Sequence, residues 1–136
     1  METPPNTHRA LSARLCGTPR ALHAGSAEVE LETVEEMRAD DAGLVHGGFV
    51  FGLADYAAML AINEPNVVLG SAETRFLAPV VVGELLHATA RLVAVEGKRH
   101  KVEVHVNRRA ERVFEGTFVC FVPQQHVLAA RTGGAS

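Results

Sequence analysis

One acid stands in a stretch that is otherwise almost wholly apolar. The run His46-Gly47-Gly48-Phe49-Val50-Phe51-Gly52-Leu53-Ala54-Asp55-Tyr56-Ala57-Ala58 opens on two glycines and reaches a single carboxylate two turns later. A helix apolar nearly all round has to be covered on most of its sides, and a single curved antiparallel sheet wrapped around it does this economically. A buried, unpaired carboxylate is costly, because desolvation disfavours its charged form. Asp55 is therefore more easily kept for chemistry than for stability.

The rest of the chain supplies the wrapping. The spacing of Leu11 and Leu15 predicts a short helix over 8–16, before a break at Gly17-Thr18-Pro19. Residues 27–34 alternate Val29, Leu31 and Thr33 against Glu28, Glu30 and Glu32, the pattern of a half-exposed strand, and 37–43 reads as an acidic loop. The central helix runs over 47–63 and is stopped by Asn63-Glu64-Pro65-Asn66, since proline disfavours helix at itself and at its predecessor. Four β-rich stretches follow, 67–76, 84–96, 99–107 and 112–122. Turn signals at Pro79 with Gly83, at Glu96-Gly97-Lys98 and at 107–111 predict that these four form an antiparallel meander. The expected architecture is α+β, a single domain over 1–136 with its core at about 20–128 and loose tails at both ends.

Composition narrows the function classes. A formal net charge of −3 gives no general attraction for nucleic acid or anionic lipid, so an anionic ligand would need local groups such as Lys98, Arg99, Arg108 and Arg109. Cys16 and Cys120 are too few and too far apart for a disulfide framework or a zinc site, which fits free thiols in a reducing, cytoplasmic setting. The uncharged apolar runs are too short for a membrane span, and the seven histidines lack metal-ligand spacing, so neither a membrane nor a metal is expected. Phosphate loops, dinucleotide fingerprints and a Gly-x-Ser-x-Gly elbow are absent from the sequence.

The His-Gly-Gly, apolar spacer and Leu-Ala-Asp of residues 46–55 resemble the helix motif of hotdog-fold acyl-CoA thioesterases, nearest to the phenylacetate-pathway type. The resemblance extends more loosely through Phe76-Leu77-Ala78-Pro79 and Gly83-Glu84-Leu85, and so covers most of the chain from 29 to 122. It implies the hotdog fold, a long central helix wrapped by a curved antiparallel sheet. It also implies a thioesterase in which Asp55 is general base on water or nucleophile on the thioester carbonyl. Gly47 then polarises that carbonyl through its amide, and His46 orients the turn. A free N–H at a helix N-terminus suits a developing oxyanion, and Gly48 beside Gly47 lets the carbonyl approach the backbone closely. No cofactor is implied, since coenzyme A is part of the substrate.

Eight residues at 1.5 Å rise separate Asp55 from Gly47 by about 12 Å along the axis, too far to share one carbonyl. Two such helices lying antiparallel across a two-fold axis would bring each Asp55 to the other chain's Gly47, which predicts an obligate homodimer, with a dimer of dimers (homotetramer) also open. Further candidates for binding substrate are Asp40, at a position where relatives often carry Asn, Tyr56 and Met59, near Asp55 on the helix, and Ser71 and Glu73, on one strand face. Arg108 and Arg109 are candidates for coenzyme A phosphates. Other readings stay open: Asp55 paired structurally with an arginine such as Arg75, Tyr56 and Met59 as core, and Asp40 as a loop residue. A non-catalytic acyl-CoA- or lipid-binding protein of the same fold, or a hotdog dehydratase, would use the same cleft differently.

Overall fold

The computed structural model describes residues 2–129 and 131. The elements in chain order are α1 (Ala13–Cys16), β1 (Thr18–His23), β2 (Ser26–Glu32), a 3-10 turn (Glu35–Met37), α2 (Gly47–Ile62), β3 (Val68–Phe76), β4 (Leu85–Glu96), β5 (Arg99–Arg108) and β6 (Glu111–Phe121). The six strands make one antiparallel sheet in the order β1-β2-β4-β5-β6-β3, and α2 lies against it. This is the α+β hotdog layout, a long helix in the curve of a sheet.

Helix α2 is long because no proline interrupts Phe49–Ile62 and most of its surface finds apolar neighbours. Nine of its residues are buried, among them Leu53, Ala57, Met59 and Leu60. It stops at Asn63, which takes the left-handed conformation at φ 57° and donates its N–H to the Met59 carbonyl at 2.8 Å, before Pro65. Strand β2 alternates as its sequence does, with Val29 and Leu31 under the helix and Glu28 and Glu30 outward. Phe114 and Phe118 of β6 and Val102 and Val106 of β5 complete the core.

Four expectations are corrected. The last four strands are not one meander: β4, β5 and β6 are, but β3 pairs with β6 from Val68↔Phe121 to Phe76↔Phe114 and forms a sheet edge. The helix, about 24 Å long, carries the chain across the sheet, so β3 starts on the far side and residues 77–84 are a connection back rather than a hairpin turn. The break at Gly17-Thr18-Pro19 is the entry to a strand: Pro19 sits opposite Val29 in edge strand β1, where a missing N–H is tolerated, and a bulge follows between Pro19 and Ala21. Gly17 is required there, at φ 114° with the Val29 Cγ1 only 2.7 Å from where a Cβ would stand. The N-terminal tail is tied down: Thr3 N–H donates to the Leu22 carbonyl at 2.9 Å, Asn6 N–H to Asn63 Oδ1 at 2.8 Å, and Asn63 Nδ2 to the Pro4 carbonyl at 2.9 Å. The short helix is one turn, α1, instead of 8–16. The end of the C-terminal tail, 132–136, lies outside the described residues.

Candidate active site

The site is built at the entry to α2. His46 caps the helix in extended conformation (φ −61°, ψ 131°), and its N–H donates to the Met37 carbonyl at 2.9 Å. The first amides of a helix have no intrahelical acceptor, so the Gly47 and Gly48 N–H groups point outward at the positive end of the dipole. Gly48 is exposed and Gly47 half-buried. The His46 ring folds back over Gly48, 3.1 Å from where a Cβ would stand, and meets Phe49 edge to face at 6.2 Å. Phe76 covers the other side: its Cε2 is 3.2 Å from the Cβ position of Gly47. His46, Gly47 and Gly48 are thus gathered at one place.

Asp55 stands two turns further on. It is half-buried, and its Oδ1 is wholly buried with no hydrogen-bond partner among the described residues. Burial pushes its carboxyl up from 3.8 to about 6, and no cation offsets this. Arg75 is occupied elsewhere, 3.6 Å from Glu115, so the reading of Asp55 as the acid of a structural ion pair with Arg75 is set aside. Two thiols sense the Asp55 charge. Burial first, then that charge, raises Cys16 and pushes Cys120 up to about 12. Both cysteines are free, and nothing in the spacing of the sequence placed them beside Asp55.

Gly48, Gly52 and Asp55 fall at i, i+4 and i+7, one stripe along the helix, with Phe51 at its margin. These residues are exposed or half-buried, while residues 56–61 are buried. A Cβ on Gly52 would meet no atom within 4 Å. Among the described residues this strip of α2 is only partly covered, and Asp55 lies on it.

The remaining candidates disperse. Tyr56 and Met59, 8% and 0% exposed, point into the core, and Tyr56 lies beside Cys16. Asp40 is a loop residue: its Oδ1 accepts from the Ala42 and Leu44 amides at 3.0 and 3.2 Å, folding the turn back on itself. Ser71 and Glu73 are exposed on edge strand β3 and pair with Val119 and Thr117, on the face opposite Ala72, which packs on the core. Arg108 is committed within the chain, donating to the Pro79 carbonyl at 2.7 Å and to Glu84 at 2.8 Å and pairing with Glu111. Burial acts to raise Glu84, but the Val81 amide and Arg108 outweigh it and hold its carboxyl low. Arg109 is exposed at the tip of the β5–β6 turn, at φ 53°.

Sequence reasoning missed the apolar cleft that opens beside Gly47, about 220 Å³ in volume and walled by Leu44, Val50, Phe76, Leu77, Val80 and Val113. Its signal was the run Phe76-Leu77-Ala78-Pro79-Val80-Val81-Val82, apolar throughout although most of it lies between strands. Among the described residues no helix is long and apolar enough to cross a membrane, and no group of three or more His, Cys, Asp or Glu side chains is gathered for a metal.

The model of the family described as Thioesterase superfamily matches residues 42–115. A methylthioribose-1-phosphate isomerase from Aquifex aeolicus is 50% identical over 112 residues, covering 82% of this chain but 25% of that protein. A transcription factor FapR from Caldanaerobacter subterraneus subsp. tengcongensis is 26% identical over 90% of this chain and 62% of its own. A cytosolic acyl coenzyme A thioester hydrolase from Homo sapiens is 32% identical over 59% of this chain and 24% of its own. The chain therefore spans from about a quarter to under two thirds of these relatives. An uncharacterized protein from Pyrococcus horikoshii superposes with a TM-score of 0.93 at 55% identity, covering 94% of this chain and 98% of that one.

Proposed function

Because the chain belongs to the thioesterase superfamily, we propose that it hydrolyses an acyl-CoA to the free acid and coenzyme A, with Asp55 as the reacting carboxylate and the Gly47 amide as oxyanion donor. The observation that carries this is the Asp55 carboxylate itself. It is partly desolvated, has an unpartnered oxygen, is held up at about 6, and lies on the partly covered strip of an otherwise buried helix. Such a group is ionised at neutral pH yet basic enough to take a proton from water, or free to attack a carbonyl directly. The relative named as a thioester hydrolase supports the same reaction class. The finer placement beside phenylacetate-pathway thioesterases rests on the His46-Gly47-Gly48 and Asp55 spacing.

The reaction runs in one of two ways. Asp55 takes a proton from water as the hydroxyl attacks the thioester carbonyl, or Asp55 attacks first and water then cleaves the acyl-enzyme anhydride. In both, the carbonyl oxygen becomes an oxyanion held by the Gly47 N–H and the start of the helix dipole, and the thiol of coenzyme A leaves. No cofactor is needed. His46, packed over Gly48, orients the turn.

Gly47 and Asp55 of one helix are about 12 Å apart, so the complete site is placed between two copies of the chain. Phe51 is midway between them, and an antiparallel crossing centred there sets each Gly47 beside the other chain's Asp55. Gly52, with open space where a Cβ would be, lets the two helices come close at that crossing. The outer edge of β3 offers a second contact between copies, with Ser71 and Glu73 on it. We read the protein as an obligate homodimer, able to pair further into a tetramer. Two free thiols fit a reducing, cytoplasmic location. Arg109, exposed at its turn, is the candidate for coenzyme A phosphates, and Arg108 acts on structure.

Thiol release from a panel of acyl-CoAs, measured for the wild type and Asp55→Asn side by side, tests the reading. Turnover is expected to fall by about 10²- to 10⁴-fold in the variant, the range of a lost general base, with the fold retained. Undiminished turnover would remove Asp55 from the mechanism. The rival reading is a non-catalytic acyl-CoA-binding protein; one relative is named as a transcription factor rather than an enzyme, and wild type that binds acyl-CoAs without turning them over would establish it. A dehydratase is third, since such enzymes of this fold pair the helical acid with a His and α2 carries none between Gly47 and Ile62.

A further inference from the structure

The cleft beside Gly47 has no polar side chain in its wall: Leu44, Val50, Phe76, Leu77, Val80 and Val113 line it, and the Gly47 backbone forms its rim. Leu44, Phe76 and Leu77 are 38%, 55% and 43% exposed, an apolar patch that leaves hydrophobic stabilisation ungained unless something covers it. Phe76 is held edge-on against Phe114 at 5.0 Å, and its Cε2 lies 3.2 Å from where a Cβ on Gly47 would stand. The opposite wall is fixed by backbone bonds, Val45 N–H to the Val80 carbonyl at 2.8 Å and Val82 N–H to the Gly43 carbonyl at 2.9 Å. Arg108 on the Pro79 carbonyl and Glu84 on the Val81 amide hold the same segment from outside. The cleft is thus a preformed space lined in part by Gly47, the residue to which the oxyanion donor is assigned, and a thioester carbonyl at Gly47 has its acyl chain within reach of it.

We propose, resting on the thioester-hydrolase reading, that this cleft takes the acyl group, that the acyl group is uncharged and apolar with about six to eight carbons, and that Phe76 sets its length. The size follows from a volume of about 220 Å³ at about 30 Å³ per methylene-sized unit, a water's share of liquid volume. The chemistry follows from the wall: a terminal carboxylate seated there would be desolvated with no cation or donor to meet it. Phe76 is the specificity residue because it stands between the rim and the solvent and is exposed, so truncating it opens the cleft without hollowing the core.

The test is kcat/KM across straight-chain acyl-CoAs of two to twelve carbons, with phenylacetyl-CoA and succinyl-CoA, on the wild type and Phe76→Ala. Binding of the same series to Asp55→Asn is measured by calorimetry. The wild type is expected to peak at six to eight carbons and to use succinyl-CoA at least about 100-fold less well than butyryl-CoA. In Phe76→Ala the peak is expected to move at least two carbons longer. A flat profile, succinyl-CoA used as well as butyryl-CoA, or an unmoved peak in Phe76→Ala would overturn the proposal. A change of oligomeric state in Phe76→Ala with the peak unmoved would show instead that a second copy covers the cleft, and would overturn it too. The two readings fail separately. Binding to Asp55→Asn that peaks at six to eight carbons, without wild-type hydrolysis, keeps the acyl site and removes the hydrolase. Asp55-dependent hydrolysis without chain-length preference does the reverse.

Discussion

Asp55 weakens the fold at the pH where the proposed chemistry needs it charged. Its carboxyl titrates at about 6 in the folded chain and at its ordinary 3.8 when unfolded, so the fold favours the protonated form. That favourable contribution is complete below about pH 3.8 and disappears as pH rises through about 6. Above that, the native state holds a partly buried charge without a partner. Asp55→Asn is therefore expected to be more stable than the wild type at pH 8 by about 1–3 kcal/mol, the upper end being the full shift at 1.36 kcal/mol per unit and the lower allowing for solvent at a half-buried group. The gain should vanish below about pH 4. Denaturant unfolding of both proteins at the two pH values reads it, and equal stability at pH 8 would contradict it. In the wild type, kcat/KM should rise with pH up to about 6 and level off above. The placement of Asp55 and Gly47 on one helix was legible because both belong to one continuous run whose spacing survives folding. Arg108 was not: its partners Pro79 and Glu84 lie 29 and 24 residues away, and only the fold shows that its charge is spent. Asp40 differs again, since the turn it caps is local and its acceptor role follows from residue type.

Helix α2 could be read from sequence to within a residue of its end, because a stop signal of Asn63 and Pro65 coincides with the end of the apolar run. Strands β2 and β4 to β6 were visible for the same reason, their alternation being set by neighbours on one sheet face. What alternation does not encode is which strand lies beside which. The turn residues Pro79 and Gly83 suggested a hairpin, yet residues 77–84 lead from the edge strand β3 back to β4 with β5 and β6 between them. That connection is the least regular wall of the cleft, and Arg108 fastens it from outside alongside backbone bonds such as Val45 N–H to the Val80 carbonyl and Val82 N–H to the Gly43 carbonyl. Arg108→Met, which keeps the aliphatic stem, should lower stability by about 1–3 kcal/mol, the range for removing charge-assisted hydrogen bonds. Hydrogen exchange should quicken at the Val45 and Val82 amides while the β4–β5–β6 amides stay protected. Uniform loss of protection would mean that Arg108 serves the whole sheet rather than this connection. Unchanged exchange would mean that the backbone bonds hold the loop unaided.

At the scale of the molecule, the proposed mechanism needs two copies, because one chain carries both of its parts and cannot bring them together. The dipole end with its two glycines and the acid are fixed on one rigid helix, about 12 Å apart, and no side-chain motion closes that gap. The strip through Gly48, Gly52 and Asp55 is where the proposed dimer seats its second helix. The separation was calculable from the sequence, but the strip was not, since it depends on which parts of the helix the sheet leaves bare.

Mixing two inactive variants tests this most directly. Gly47→Pro removes the amide donor and suits the start of the helix, because proline is favoured at the first helical position and His46 already has the extended conformation that precedes it, while the exposed Phe76 edge, 3.2 Å from the Cβ position, has to give way. Asp55→Asn removes the acid. Each variant alone should be inactive. When the two are unfolded together and refolded in equal amounts, half of the dimers are mixed, and each mixed dimer has one site with both its Gly47 and its Asp55 intact. Thioesterase activity should therefore return to about one quarter of the wild-type value. No recovery, with mixed dimers demonstrated by mass spectrometry, would contradict the shared site and place the whole reaction within a single chain.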